Sequence, residues 1–117
     1  MNTQTLTYIA IGIIAVIVLK RFLGGGKVAS NIVKQKLESG AIIIDVRTPD
    51  EFRDGAYPKA KNIPLSDLGR RMAEIPKDKP VVLYCASGAR SSSAARALKQ
   101  AGYADVINAG GLADMPC

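Results

Sequence analysis

The residues best suited to chemistry are a cysteine and an arginine with four small residues between them. They lie in VVLYCASGARSS, residues 81–92, where Cys85 ends an apolar run and Arg90 follows five positions later. A cysteine held as its thiolate is a nucleophile, and an arginine binds anions with a planar, permanently charged fork. The spacing therefore predicts nucleophilic chemistry at Cys85, with Arg90 binding an oxyanion of the substrate.

The residues between Cys85 and Arg90 suggest how a thiolate would be stabilised. They are small enough for the backbone to turn tightly and to direct several N–H groups at one point: Ala86, Ser87, Gly88 and Ala89. Gly88 can take a positive φ without strain. A helix predicted to begin just after Arg90 adds its N-terminal N–H groups and partial positive charge. Such surroundings lower a cysteine pKa below its free value of about 8.5. The alternative is a buried structural cysteine beside a solvated arginine.

The composition excludes several other kinds of site. Histidine is absent from the 117 residues, which removes any histidine-based acid, base or metal ligand. Two cysteines without a CxxC pattern do not predict a zinc site or a disulfide framework. The net charge is +6, but no run of Lys and Arg exceeds two residues and aromatic residues make up 5%. We therefore expect no nucleic-acid partner, metal or organic cofactor.

Two apolar runs predict the central strands of a parallel sheet. Residues 41–46 read AIIIDV and residues 80–84 read PVVLY, as expected of strands covered on both faces. They alternate with helical patterns, which predicts an α/β domain. Cys85 then lies at the carboxyl end of a central strand, where open α/β sheets bind their ligands.

Weaker patterns complete the predicted domain. A helix capped by Ser30 precedes the first strand and stops at Gly40. Further helices are predicted over residues 49–55, 65–75 and 91–101, and short strands over residues 62–63 and 105–108.

Two charged residues at the end of the first strand are candidates for a supporting role. Asp45 and Arg47 flank Val46, so their side chains point to the same side. We expect Arg47 to pair with Glu51 and so to fix the strand to the following helix, in preference to direct contact with substrate. Asp45 is open between orienting the loop and taking part in catalysis.

The N-terminal segment predicts a membrane anchor. Residues 6–19 read LTYIAIGIIAVIVL, apolar apart from Thr7, and Lys20 and Arg21 follow. This run is shorter than the roughly 20 residues that span a bilayer, but snorkelling of the two basic side chains extends it. A signal peptide would need a basic segment before the apolar run, and a buried helix would contain more polar positions.

These features divide the chain into three parts. We predict a transmembrane helix over residues 1–23, contacting the membrane through residues 5–23, then a glycine linker over residues 24–27 and a domain over residues 28–117. Since the basic residues follow the apolar run, the positive-inside rule predicts a single-pass protein of the inner or plasma membrane with its domain in the cytoplasm.

The domain resembles the rhodanese-like (sulfurtransferase) family. The resemblance rests on IIIDVRTPDEFRDG, AKNIPL, VVLYCASGARSS and NAGG, at residues 42–55, 60–65, 81–92 and 108–111. It implies a central parallel β-sheet flanked by helices and an active-site cysteine, here Cys85, that carries sulfane sulfur as a persulfide. The implied donor is thiosulfate or a protein persulfide, and the implied acceptor is a thiol or cyanide. The six-residue loop, residues 85–90, would bind substrate and stabilise the thiolate.

Two other functions stay open beside sulfur transfer. The first is that of a phosphatase or arsenate reductase of related fold. The related phosphatases use a loop one residue longer, which leaves room for a tetrahedral phosphate. A non-catalytic, membrane-tethered docking domain is the other, and the intact span from Cys85 to Arg90 argues against it.

The sequence also departs from the family pattern. Ala86 stands where single-domain members often carry a second arginine, residues 55–60 read GAYPKA, and Met115 stands about where an aromatic residue often follows the double glycine. The change at Ala86 predicts weaker binding of thiosulfate. Cys117, the second cysteine, is either a sulfur acceptor or a terminal thiol without a role.

Overall fold

Four parallel strands form one sheet in the computed structural model, which describes residues 2–22 and 26–117. They are β1 (Ile42–Asp45), β2 (Lys61–Asn62), β3 (Val81–Cys85) and β4 (Val106–Gly111), in the order β2-β1-β3-β4. In the centre, Ile44 of β1 pairs with Leu83 of β3. The predicted α/β architecture with a central parallel sheet is confirmed, and the carboxyl ends of β1 and β3 lie side by side.

Of the described helices, two precede the first strand, and the other three lie in the connections between strands. They are α1 (Thr3–Phe22), α2 (Ser30–Glu38), α3 (Pro49–Arg53), α4 (Leu68–Arg71) and α5 (Ala89–Gln100), with 3₁₀ turns over Leu65–Asp67, Met72–Glu74 and Leu112–Asp114. The single helix predicted over residues 65–75 is wrong, because this segment divides into α4 and two of these turns. Ser66 makes no capping hydrogen bond, and Gly69 lowers the helix propensity of the segment.

The side chains of β3 alternate between two apolar layers. Leu83 and Cys85 face the layer that contains Leu98 of α5, whereas Tyr84 faces the layer that contains Val33 of α2. All five residues of β3 are buried, which explains the continuous apolar run. Cys85 therefore faces α5, and Tyr84, the residue before it, faces α2.

The N-terminal helix α1 presents aliphatic side chains to solvent, among them Leu6, Ile9, Ile13 and Val16. Within residues 2–22 and 26–117, however, no helix is both long enough and apolar enough to cross a membrane. The predicted transmembrane anchor over residues 1–23 is thus not supported. The run over residues 6–19, apolar apart from Thr7, is shorter than the roughly 20 residues that the hydrocarbon core requires.

The segment before α2 pairs with β4, which is an edge strand of the sheet. Lys27 forms a parallel bridge with Asn108 of β4, and the Val28 N–H donates to the Asn108 carbonyl at 2.8 Å. Of the predicted glycine linker over residues 24–27, residues 24 and 25 lie outside the described residues, and the boundaries of the three predicted parts stay a prediction.

Candidate active site

Cys85 is the last residue of β3, and its side chain is completely buried. The chain turns immediately after it: Gly88 has a φ of 100°, a conformation that costs glycine little, and α5 begins at Ala89. The Gly88 N–H donates to Cys85 Sγ at 2.9 Å. The turn and the first residues of α5 therefore form a cradle around the sulfur, and Ala86, Ser87 and Ala89 form its exposed rim.

Ser91 is a second polar contact of Cys85 that the sequence did not indicate. It lies in the first turn of α5, is fully buried, and places Oγ 3.4 Å from Cys85 Sγ. Oγ is also 2.6 Å from Asn108 Oδ1 of β4. A hydroxyl has one proton to donate, so Ser91 can serve only one of these acceptors at a time. The signal available in the sequence was a serine directly after Arg90, at the start of a helix that faces the sheet.

The same contacts control the ionisation of Cys85. Burial raises the pKa of the thiol, but hydrogen bonds from the Ser91 hydroxyl and from the backbone N–H groups of Ser91, Ser87 and Gly88 outweigh it. The pKa of Cys85 is lowered overall. Backbone N–H groups at a helix N-terminus favour an anion for the same reason that they bind phosphate. Cys85 thus has the electrostatic surroundings of a nucleophilic cysteine.

Removal of the Ser91 hydroxyl tests this account of the thiolate. Ser91→Ala is expected to raise the pKa of Cys85 and to lower its reaction rate at pH 7 about tenfold, since a hydrogen bond to an ion is lost. The measurement is the rate at which iodoacetamide alkylates the peptide that contains Cys85, as distinct from the exposed Cys117, and the pH profile of this rate should shift to higher pH. Ser92→Ala, on the same helix, is the control. Identical profiles for Ser91→Ala and the unmodified protein would contradict the role of Ser91.

The sequence suggested that Arg90 is available to bind substrate, but in the structure its guanidinium is paired with a carboxylate. Its Nη1 and Nη2 donate to Glu51 Oε1 and Oε2 of α3 at 2.7 and 3.0 Å, a two-pronged ion pair about one-third exposed on each side. The Arg90 hydrogen bond, followed by that of the Thr48 backbone, lowers the pKa of Glu51 to about 2. The expected pairing of Arg47 with Glu51 is wrong, because Arg90 at the start of α5 reaches Glu51 instead.

Arg47 folds back on Asp45. Asp45 Oδ1 accepts hydrogen bonds from the Arg47 backbone N–H and Nε, and Oδ2 accepts one from Nη2 at 2.7 Å. The Tyr84 hydroxyl also donates to Asp45 Oδ2 at 2.7 Å, and burial raises the pKa of Tyr84 to about 12, so the phenol stays protonated. Arg47 Nη2 donates further to the Gly55 carbonyl, and the Tyr57 N–H donates to the Tyr84 hydroxyl.

This buried network lies on the α2 side of the sheet, whereas Cys85 faces α5. Asp45 and Arg47 share one side of the strand end, as the sequence indicated. Their contacts fix the segment after α3 to the sheet and do not include Cys85. They are therefore structural supports of the site rather than groups in contact with the sulfur.

The double glycine at the end of β4 allows the loop to approach the sheet closely. A Cβ on Gly111 would lie 2.3 Å from the Ala86 carbonyl oxygen, and a Cβ on Gly88 would lie 3.3 Å from Gly110 Cα. The Asn108 side chain adds a hydrogen bond from Nδ2 to the Gly88 carbonyl at 3.2 Å. The NAGG sequence, residues 108–111, thus forms the surface on which the Cys85 loop rests.

Cys117 lies apart from this cradle. Its thiol is exposed, and the preceding Pro116 carbonyl accepts a hydrogen bond from the Tyr57 hydroxyl at 2.7 Å. Tyr57 packs on the α2 side of the sheet. Transfer of sulfur between Cys85 and Cys117 of one chain would therefore have to cross from one face of the sheet to the other.

Most of the chain is similar in sequence to one described protein family. Residues 30–114 match the family described as rhodanese-like domain. A sulfurtransferase of Allochromatium vinosum is 48% identical over 67 residues, which are 57% of this chain and 63% of that protein, so the chain spans somewhat less than two thirds of that relative.

Two Escherichia coli comparisons extend the similarity. The thiosulfate sulfurtransferase PspE is 40% identical over 74 residues, 62% of this chain and 71% of that protein. A solved structure described as rhodanese with anions is 39% identical, with a TM-score of 0.61 over 65% of this chain and 94% of that one.

Proposed function

The chain belongs to the rhodanese-like domain family, and from this we propose that it is a sulfurtransferase in which Cys85 carries the transferred sulfur as a persulfide. The observation that carries the proposal is the Gly88 N–H, 2.9 Å from a buried Cys85 Sγ whose pKa is lowered. A cradle of N–H groups around one sulfur atom stabilises either a thiolate or the terminal sulfur of a persulfide.

The first half of the reaction loads the cysteine. The Cys85 thiolate attacks the outer, sulfane sulfur of the donor and forms a new S–S bond. The donor's own bond to that sulfur breaks, and its electron pair leaves with sulfite if the donor is thiosulfate, or with a thiolate if it is a persulfide. The sulfane sulfur keeps its oxidation state, so no external oxidant or reductant is needed.

The second half unloads it. An acceptor thiolate or cyanide attacks the outer sulfur of the Cys85 persulfide, and the S–S bond breaks with its electron pair returning to Cys85. The products are an acceptor persulfide or thiocyanate and the starting thiolate. Since the lowered pKa makes Cys85 a better leaving group, the same N–H groups assist both halves.

Steady-state kinetics test the proposal. Because the enzyme is covalently modified between two substrates, the rate with thiosulfate or a small persulfide as donor and cyanide or a thiol as acceptor should give parallel double-reciprocal lines. Hydrolysis of a phosphate ester or reduction of arsenate, with no transfer from any sulfur donor, would favour the alternative enzymes. Inactivity in all three assays would favour a docking domain.

We also propose the location that the sequence predicts, with the protein attached to a membrane and its domain on the cytoplasmic side. It is supported by the exposed aliphatic side chains of α1, which belong to neither apolar layer of the domain: Leu6, Ile9, Ile11, Ile13, Ile14 and Val16. Apolar side chains of this kind are stabilised by contact with lipid.

Fractionation tests the location. The full chain is expected to sediment with membranes and to resist extraction by high salt, because apolar contacts are not screened by ions. The double substitution Ile11→Asp and Ile14→Asp should release most of it into the supernatant, whereas Lys34→Asp should not. An unmodified chain recovered in the supernatant would contradict membrane attachment.

A further inference from the structure

We propose that Glu51 sets the donor preference of this site by neutralising Arg90, so that the site favours persulfides of low charge over the thiosulfate dianion. This inference rests on the proposed sulfur transfer and names the substrate class of the same site. It makes Glu51 a specificity-determining residue that acts through Arg90, without contact to the sulfur.

The geometry shows that the positive charge of Arg90 is already matched. Both terminal nitrogens of the guanidinium face the two oxygens of the Glu51 carboxylate, at 2.7 and 3.0 Å. A two-pronged arginine–carboxylate pair uses the same donors that would otherwise bind an oxyanion. Thiosulfate could bind at this end of the guanidinium only by displacing Glu51, and at the remaining N–H groups it would meet a positive charge that the carboxylate already compensates.

The exposed rim of the loop contains no positively charged side chain that could replace Arg90 in binding a dianion. Ala86, Ser87 and Ala89, the exposed residues of the loop, carry none. The neighbouring guanidinium of Arg47 is held by the buried Asp45 carboxylate and the Gly55 carbonyl. Each of these two arginines is therefore paired with one carboxylate, and within the described loop, residues 85–90, a dianion would meet N–H groups and the dipole of α5.

The charge of Glu51 is not needed for its other structural role. Glu51 Oε1 accepts hydrogen bonds from the Thr48 N–H and hydroxyl at 3.1 Å, which forms a capping box at the start of α3. Glutamine serves in a capping box as well as glutamate. Both oxygens of Glu51 also accept from Arg90, Oε1 at 2.7 Å and Oε2 at 3.0 Å. The negative charge of Glu51 thus pairs with Arg90, which the capping box does not require. Glu51→Gln removes this charge and keeps the cap.

The experiment compares two donors on the full-length chain. We measure kcat/KM for thiosulfate and for hydroxyethyl persulfide, a small donor without carboxylate or ammonium groups, with cyanide as acceptor. Glu51→Gln is expected to raise the thiosulfate-to-persulfide ratio about tenfold, because Arg90 gains an uncompensated charge while the cap is kept. The gain should shrink as salt is added. Glu74→Gln, which removes a carboxylate paired with Arg71, should leave the ratio unchanged.

The outcomes separate this inference from the function on which it rests. An unchanged or lower ratio in Glu51→Gln, with both donors still active, overturns the role of Glu51 and leaves sulfur transfer standing. Absence of transfer from either donor to the unmodified protein overturns both. If Glu51→Gln fails to fold, the unmodified protein tests the same pairing: its thiosulfate-to-persulfide ratio should change little as salt is added, whereas a ratio that falls steeply with salt, as an uncompensated Arg90 would produce, overturns the proposal.

Discussion

Cys85→Ser is expected to abolish sulfur transfer, with a fall in kcat/KM of more than about a thousandfold, the scale on which enzymes lose activity without their nucleophile. A serine hydroxyl is not ionised near neutral pH. The N–H groups that stabilise a thiolate cannot lower the pKa of a hydroxyl far enough to ionise it. The fold should be kept, because serine oxygen can accept the hydrogen bonds that Gly88 and Ser91 now direct at Sγ. The measurement is transfer from thiosulfate and from a persulfide to cyanide.

Cys117→Ser is the matched control for this prediction. It removes the other cysteine, whose thiol is exposed and lies toward the other face of the sheet, and should retain full activity. Undiminished transfer by Cys85→Ser would show that Cys85 is not the nucleophile, and loss of transfer in Cys117→Ser would show a two-cysteine mechanism instead.

Gly111→Ala is expected to give the second largest loss of activity, although the described hydrogen bonds to Sγ come from Gly88 and Ser91 and not from this strand partner of Cys85. The new Cβ would lie 2.3 Å from the Ala86 carbonyl oxygen, so the loop or the end of β4 must move. Overpacking of this kind costs about 1–3 kcal/mol of stability. Displacement of a catalytic loop by about 1 Å can lower activity roughly a hundredfold. Thermal unfolding and kcat/KM, measured together, separate the two effects.

Gly69→Ala provides the control for the glycine substitution. Gly69 lies in the short helix α4, where an added Cβ would meet no atom within 4 Å. Alanine in a helix is more stable than glycine by about 0.5–1 kcal/mol, so this variant should keep its activity and gain slightly in stability. Full activity in Gly111→Ala would show that the close approach of β4 does not position the loop.

The sequence was sufficient to predict the features that depend on local patterns. Continuous apolar runs predicted β1 and β3, alternation with helical segments predicted parallel pairing, and together they placed Cys85 at the carboxyl end of a central strand. The small residues after Cys85 predicted a tight turn, and Gly88 does take a positive φ. Each of these inferences uses residues that are neighbours in the chain.

The features that the sequence did not predict depend on which distant segments meet. Glu51 is 39 positions from Arg90, and a partner nearer in sequence, Arg47, was expected for it. Ser91 and Asn108 meet only because α5 packs on β4. For the same reason the NAGG sequence indicated a strand end but not that Gly111 lies against Ala86. Pairing of side chains across the fold is decided by packing geometry, which one-dimensional patterns do not contain.

The most direct test of sulfur transfer through Cys85 is the intact mass of the full-length protein after exposure to a sulfur donor. With thiosulfate or hydroxyethyl persulfide, we predict a gain of one sulfur atom, located on the peptide that contains Cys85 and removed by cyanide with release of thiocyanate. Cys85→Ser should show no such gain. An unchanged mass with both donors, or a gain that persists in Cys85→Ser, would contradict the account.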